Sequence, residues 1–527
     1  MLSSRIPAMR NQALIGVSLF ILGLWLAWEV GGKIVADDTR FLLYSVLLFA
    51  ACVVVVTVLR NWRLGFYFFF VWMLFEDLAR KYMGNGPELF FGKDILAAFV
   101  YIGLFVEIRR GREKSFRPPF LLFFSLFFWL GTVQVFNQNS PSILYGLLGF
   151  KTYFYYVPLL FVGYALIRND SDLRKFLVSS AVLAGVISAL GIAQAIMGNS
   201  FLNPAVLAPE LQDLGNLTKV SPLSNRALSL PDSVFVSAGR FDEYLVWVFI
   251  VTVGTAAYFL LHTPRHRKLI WGVIGILGAA TLLSGSKSTV VGVLMSALVL
   301  SAGFLWGAPW RWRQAHRLVR AIRRSFIAAA LALAALILLF PDEAGSRVAF
   351  YTETLDPRSS AYQGANRGWD YPIDNLLQAF DGPNWMLGNG IGTTSLGGQY
   401  VAKLLGRPPL NIWVEEGYGQ LIVEMGIVAP FLWILWTASL LYYSWKVVRR
   451  LRDTRLFPIA FAIVWYAFMV LYVFTYAGLT AYQNYVSNAY LWLLIGILFR
   501  LPDLLVNAPV SVVVSPRQPR VHGRLQF

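Results

Sequence analysis

Leu456-Phe-Pro-Ile-Ala-Phe-Ala-Ile-Val-Trp465 begins a stretch that continues through Tyr466-Ala-Phe-Met-Val-Leu-Tyr-Val-Phe-Thr475, Tyr476-Ala-Gly-Leu-Thr-Ala-Tyr-Gln-Asn-Tyr485 and on to Phe499 without one charged side chain. A helix needs roughly 20 residues to cross about 30 Å of hydrocarbon, so this run is long enough for two crossings. In lipid the backbone must satisfy its own polar groups, which leaves the helix as the form such a run takes. Working outward, Phe41–Leu59, Tyr244–Leu261, Leu269–Ser286, Ser288–Pro309 and Met425–Trp445 are also free of charge, each about one crossing long.

Composition agrees. Of 527 residues, 57% are hydrophobic and 14% charged, a balance that sets a soluble fold aside. The net charge of +17 is spread beside the apolar runs rather than gathered on one face, so it reports topology and not a nucleic-acid partner. Cys52, the only cysteine, falls inside a predicted span, which excludes disulfides and thiolate metal sites. The first apolar run, Ala13–Trp28, follows Arg5 and Arg10 and lacks a small-residue cleavage site, so no signal peptide is read there.

Lys- and Arg-rich short loops stay on the cytoplasmic side. Basic segments stand at Arg5 and Arg10, Arg60–Arg63, Arg109–Arg117, Arg168–Lys175, Arg265–Lys268, Arg311–Arg324, Lys446–Arg455 and in the C-terminal tail. Each neighbouring pair encloses enough apolar sequence for two spans. The expected fold is an all-α polytopic membrane protein of about fourteen transmembrane helices with both termini cytoplasmic. It forms a single domain over residues 1–506, followed by a disordered tail at 507–527.

The outward loops then fall near 31–40, 77–93, 137–151, 197–242, 284–288, 341–414 and 476–488. The loop after Met197 carries Pro204, Pro209, Pro222 and Pro231 and is expected to be irregular, without regular helix. In the 341–414 loop, Trp369, Ile373, Leu376, Leu377 and Phe380 recur at helical spacing, which predicts an amphipathic helix lying on the outer membrane surface. No internal repeat is found. Arg311–Arg324 reads as a basic anchor on the inner surface, with an anionic-lipid or partner site as the alternative.

Signatures of soluble hydrolases, metalloproteases and P-loop enzymes are missing. The four histidines, His262, His266, His316 and His522, all map to the cytoplasmic side. What the outer side offers is a set of cations, Lys151, Arg226, Arg240, Lys287, Arg347 and Arg367, and carboxylates including Asp242, Glu243, Glu415 and Glu416. Such a set suits transfer from a lipid diphosphate. Fixed cations neutralise a leaving group whose charge grows in the transition state, and a carboxylate takes the proton of the attacking hydroxyl.

Each residue also has a plainer reading. Lys287, in the turn Ser284-Gly-Ser-Lys-Ser288, can be a lysine snorkelling to the interface, and Arg367 can pair with Asp370 in an exposed bridge worth about 0–1 kcal/mol. The two glutamates can simply favour a helix N-terminus. Gly388-Asn-Gly-Ile-Gly392 reads as a turn, and Tyr476, Tyr482 and Tyr485 as an aromatic belt, with sugar stacking as the alternative. Glu415 is expected to open a span, partly desolvated and thus a better base near neutral pH, with Tyr418 near its face.

Four features in order resemble the O-antigen polymerase and O-antigen ligase superfamily of bacterial membrane glycosyltransferases. They are Ser286-Lys287 in a hairpin, Asn366-Arg367-Gly-Trp369 in a large outer loop, Leu387-Gly-Asn-Gly-Ile-Gly392, and Glu415-Glu416-Gly-Tyr418 followed by Glu424-Met-Gly426-Ile427. The resemblance, which covers roughly Lys151 to Trp445, implies a metal-independent, cofactor-free, inverting transfer of glycan from a polyprenyl diphosphate to a hydroxyl acceptor on the outer side of the bacterial cytoplasmic membrane. It implies diphosphate contacts from Lys287, where the family has arginine, and from Arg367. Many ligases of the family have His-Asn where Glu415-Glu416 stand, which turns the expectation toward a polymerase of lipid-linked repeat units, with Glu415 as preferred base, Glu416 beside it, and Arg226, Arg240 and Lys151 as further contacts. Its expected partners are the lipid-linked oligosaccharide, membrane lipids, and chain-length regulator or export proteins. The rivals are a ligase that moves finished glycan to a lipid, cell-wall or protein acceptor, a transporter or flippase of lipid-linked sugars, and a scaffold in a secretion complex.

Overall fold

The computed structural model describes residues 55–84, 86–204, 218–220, 227–262, 267–310 and 414–506, with shorter pieces at 351–352, 372–382 and 384–395 and a few positions elsewhere between 316 and 406. Arg226, Arg347, Arg367 and the Asn366–Trp369 motif lie outside the described residues, as do Ala13–Trp28, most of Phe41–Leu59, and the tail. Most of the basic segment Arg311–Arg324 lies outside them as well.

Helix dominates, as charge-free sequence in lipid requires. In chain order the principal helices are α1 (Trp62–Met83), α2 (Pro87–Arg109), α3 (Leu121–Val135), α4 (Ile143–Phe154), α5 (Leu159–Leu166), α6 (Asp170–Met197) and α7 (Ala238–His262). They are followed by α8 (Arg267–Leu283), α9 (Lys287–Gly307), α10 (Gly417–Met425), α11 (Val428–Arg450), α12 (Phe457–Phe468) and α13 (Tyr485–Val506). Among the described residues six segments are long and apolar enough to cross a membrane: Leu89–Arg109, Asp170–Met197, Ala238–Leu261, Lys287–Gly307, Phe457–Ala477 and Tyr485–Val506.

The chain divides into two compact units, one of Met1–Phe69 with Asp94–Glu107, the other of Phe70–Lys93 with Ile108–Phe527. Within the first, Trp62 and Phe66 are buried. Within the second, α7 packs on α6, α8, α9, α12 and α13 and is buried almost throughout, the position a helix apolar on every side takes. Helices α5 and α13 approach closely, since a Cβ on Gly163 would stand 2.1 Å from the Leu493 carbonyl oxygen. An aromatic core joins α3, α4, α11 and α13, with Trp433 4.8 Å from Tyr482, Trp436 5.8 Å from Trp492 and Phe127 5.5 Å from Trp433 between ring centres.

Several loop boundaries are corrected by the structure. Helix runs to Met83 and restarts at Pro87, so most of the expected loop at 77–93 is helical and its charges ride on helices. Likewise α4 starts at Ile143 and α7 at Ala238, which makes Lys151 and Arg240 helical. The proline-rich loop is not wholly irregular: a 3₁₀ turn spans Asn199–Phe201, and Thr218–Val220 pairs antiparallel with Ala227–Ser229. Residues 372–381 form the expected helix, with Ile373, Leu377 and Phe380 exposed and Asn375 and Ala379 buried.

The 456–499 run holds its two crossings, but the first one widens. Met469–Phe474 is π-helix, the chain breaks at Gly478, and one helical turn, Thr480–Gln483, precedes α13. Thr475 donates its hydroxyl to the Val470 carbonyl at 3.0 Å, a side-chain bond back to the widened turn. The belt reading fails for Tyr482, which is fully buried with its hydroxyl donating to the Tyr153 carbonyl at 3.0 Å.

Candidate functional site

Glu415 and Glu416 part company at the start of α10. Glu416 is the N-cap, and its Oε2 accepts from the Gly419 N–H at 2.6 Å, satisfying one of the free donors of the first turn. Its side chain is buried, and Oε1 has no hydrogen-bond partner among the described residues. Burial pushes the carboxyl up to about 7, against the pull of the Tyr418 and Gly419 backbone. Glu415 is exposed, its backbone N–H donating to Asn375 Oδ1 at 3.2 Å. The desolvated carboxylate expected at Glu415 is therefore Glu416, because the cap turns that side chain inward. Tyr418 lies half-buried in the first turn of the same helix.

The break in the 456–499 run sits against this start. A Cβ on Gly417 would stand 2.1 Å from the Thr475 carbonyl oxygen, so only glycine lets the two backbones meet. Beyond Gly478 the chain carries Gln483, whose Nε2 donates to Tyr153 Oη at 3.3 Å, and Asn484, whose Nδ2 donates to Glu243 Oε2 at 2.8 Å. Gln483 Oε1, Tyr485 Oη and Asn488 Oδ1 are buried without partners among the described residues.

One turn before Glu243 on α7 begins a cluster of charges. Asp77 on α1 bridges Arg80 at 2.9 Å and Arg240 at 2.8 Å, and Glu76 holds Lys93 at 2.8 Å. Rings knit the cations together. The Phe90 ring centre lies 5.1 Å from the Arg80 guanidinium and 4.5 Å from both Lys93 and Lys151, while Tyr485 lies 4.5 Å from Lys93 and 5.4 Å from Arg240. Four cations thus face two carboxylates. Beside them Lys81 pairs with Asp232 at 2.9 Å, and Gln194 donates to the same carboxylate at 2.6 Å, fixing the approach to α7.

Of the residues singled out in the sequence, Lys151 and Arg240 come together in this cluster, and Glu415, Glu416 and Tyr418 at the start of α10. Lys287 stands at a third place, opening α9 after a turn in which the Ser286 hydroxyl lies 3.1 Å from Ser288 and accepts from Thr289 at 3.0 Å. Glu76, Asp77, Arg80 and Lys93 were missed. The signal was available, since Glu76, Asp77, Arg80 and Lys81 within two turns of apolar helix are costly unless paired.

The glycine run is a turn. Gly388 and Gly392 have φ of 80° and 89°, and a Cβ on Gly388 would meet the Glu424 carbonyl oxygen at 2.6 Å. Asn389 and Gly390 donate their N–H groups to the Val423 and Glu424 carbonyls at 2.8 and 3.0 Å. Glu424 itself accepts from Tyr153 at 3.0 Å and from the Thr394 hydroxyl at 2.9 Å, so the Glu-x-Gly-Ile motif clamps this turn onto α10. No protein-family model matches the chain, and no curated protein matches it.

Proposed function

We propose that the chain is a membrane glycosyltransferase that joins polyprenyl-diphosphate-linked oligosaccharide repeat units into exopolysaccharide or O-antigen. It works on the outer side of a bacterial cytoplasmic membrane, with about fourteen spans and both termini inside. The observation that carries this reading is Glu416. It is a buried carboxylate near pKa 7 with one oxygen unpartnered, set against the break that leads to the Arg240 cluster.

In the reaction, the acceptor hydroxyl donates its proton to Glu416 Oε1 as its oxygen forms the new bond to the anomeric carbon. The bond from that carbon to the diphosphate oxygen breaks on the opposite face, and the diphosphate leaves with the electron pair. Inversion follows from a single displacement. Arg240 and Lys151, and by the family resemblance Lys287 and Arg367, balance the charge that develops on the leaving group. Tyr485, Gln483 and Asn488 offer buried polar atoms where sugar hydroxyls need partners.

The test is a polysaccharide gel ladder from cells lacking the protein, complemented with wild type, Glu416→Gln or Glu415→Gln at matched membrane expression. Wild type and Glu415→Gln restore long polymer, and Glu416→Gln leaves single repeat units on the carrier. Long polymer that forms on the carrier without active protein and reaches its final acceptor only with wild type would assign a ligase step instead, and full activity of Glu416→Gln would remove the base.

A further inference from the structure

The opposite end of α13 holds a second charged feature, a cavity of about 160 Å³ lined by Arg112, Glu113, Lys114, Tyr164, Arg168 and Arg500. From Tyr485 to Arg500 the helix rises about 22 Å, so the cavity and the Arg240 cluster lie on opposite sides of the span. This is the side that the basic loops assign to the cytoplasm.

Arg112, Lys114, Arg168 and Arg500 stand against Glu113 in the lining and Asp503 beside Arg500, a positive balance that makes the cavity an anion site in charge. Its geometry is built rather than accidental. Arg500, whose side chain is 11% exposed, donates Nε to the Ile167 carbonyl at 3.0 Å and Nη1 to Asp503 at 2.6 Å. Those bonds hold the guanidinium in place, and its Nη2 makes no hydrogen bond among the described residues. Its carbon lies 5.1 Å from the Tyr164 ring centre, and Phe116 stacks on that ring at 4.4 Å. Arg168 pairs with Glu113, which takes up the one negative charge of the lining. Lys114 has no partner among the described residues.

A water occupies about 30 Å³ of liquid, so the cavity has room for a phosphate group with part of its hydration shell. Arginine is the side chain suited to phosphate oxygens, and basic pockets between spans at the cytoplasmic face suit lipid headgroups. We infer that this cavity binds a phosphate group, that of an anionic phospholipid in the adjoining leaflet, at a site separate from the transfer chemistry. The inference goes beyond the proposed reaction and does not depend on it.

The experiment uses the purified full-length chain, with retained lipid counted by native mass spectrometry after exposure to phosphatidylglycerol or phosphatidylcholine. Wild type is expected to retain phosphatidylglycerol selectively. The double variant Lys114→Gln, Arg168→Gln is expected to lower that retention about ten-fold, while Arg449→Gln, Arg450→Gln, which removes two charges from the end of α11, leaves it unchanged. Millimolar inorganic phosphate that fails to displace the lipid supports the headgroup as source. Displacement by phosphate, with protection of wild type but not of the cavity variant against heat, supports a soluble phosphate ligand of the same site. Equal loss in both double variants, no loss in the cavity variant, or equal retention of phosphatidylcholine would overturn the inference.

Discussion

Glu416 holds extended backbone as the N-cap of α10, which turns its side chain inward, while Glu415 one residue earlier stays exposed. General-base catalysis contributes about 10²- to 10⁴-fold, so Glu416→Gln is expected to slow transfer at least about 100-fold and Glu415→Gln by less than about three-fold. The measurement is a single-turnover assay on lipid-linked units extracted from deletion cells. In wild type the rate rises with pH and levels off above about 7, since only the ionised carboxylate takes the proton. Stability runs the other way. The folded carboxyl at about 7 lies above its ordinary 4.5, so between those values the folded state holds more protons and stability falls as pH rises. Thermal unfolding of wild type across that window shows the slope, and Glu416→Gln reduces it.

Two elements carry strain or charge that substitution exposes. Gly392→Ala puts a Cβ 2.3 Å from the Tyr145 carbonyl oxygen at a φ of 89°, which is expected to cost about 1–3 kcal/mol, read as a lower unfolding midpoint in detergent. Asp77→Ala strips the shared partner from Arg80 and Arg240, a loss of about 3–5 kcal/mol by the same measurement. The glycine turn was legible because Gly-Asn-Gly-Ile-Gly without a flanking strand has one simple reading, and so was the exposed stripe of Ile373, Leu377 and Phe380. Helix ends were not. Apolar periodicity stops where charge begins, yet α1 carries Glu76, Asp77, Arg80 and Lys81 inside its last two turns, because each charge finds a partner there.

Across the whole molecule the charge-free runs foretold four of the six described spans, while Leu89–Arg109 and Asp170–Met197 carry charges at their ends that a search for charge-free sequence passes over. Contacts between distant segments did not follow: nothing in the local pattern tells that Tyr153 meets Glu424, or that Gln483 meets Tyr153. Orientation has a direct test in a Cys52→Ser background. A membrane-impermeant maleimide is expected to label Ser288→Cys in intact cells and Asp453→Cys only after permeabilisation. The ion network also bears on how the protein is made. Asp77 meets Arg240 across 163 residues, so α1 and α2 leave the ribosome long before α7 exists. Until then Glu76, Asp77, Arg80 and Lys93 neutralise one another, and a nascent hairpin can wait in the membrane without a net charge among those four. Lys81 alone awaits Asp232, so the arrival of α7 completes two ion pairs at once and gives assembly a fixed order.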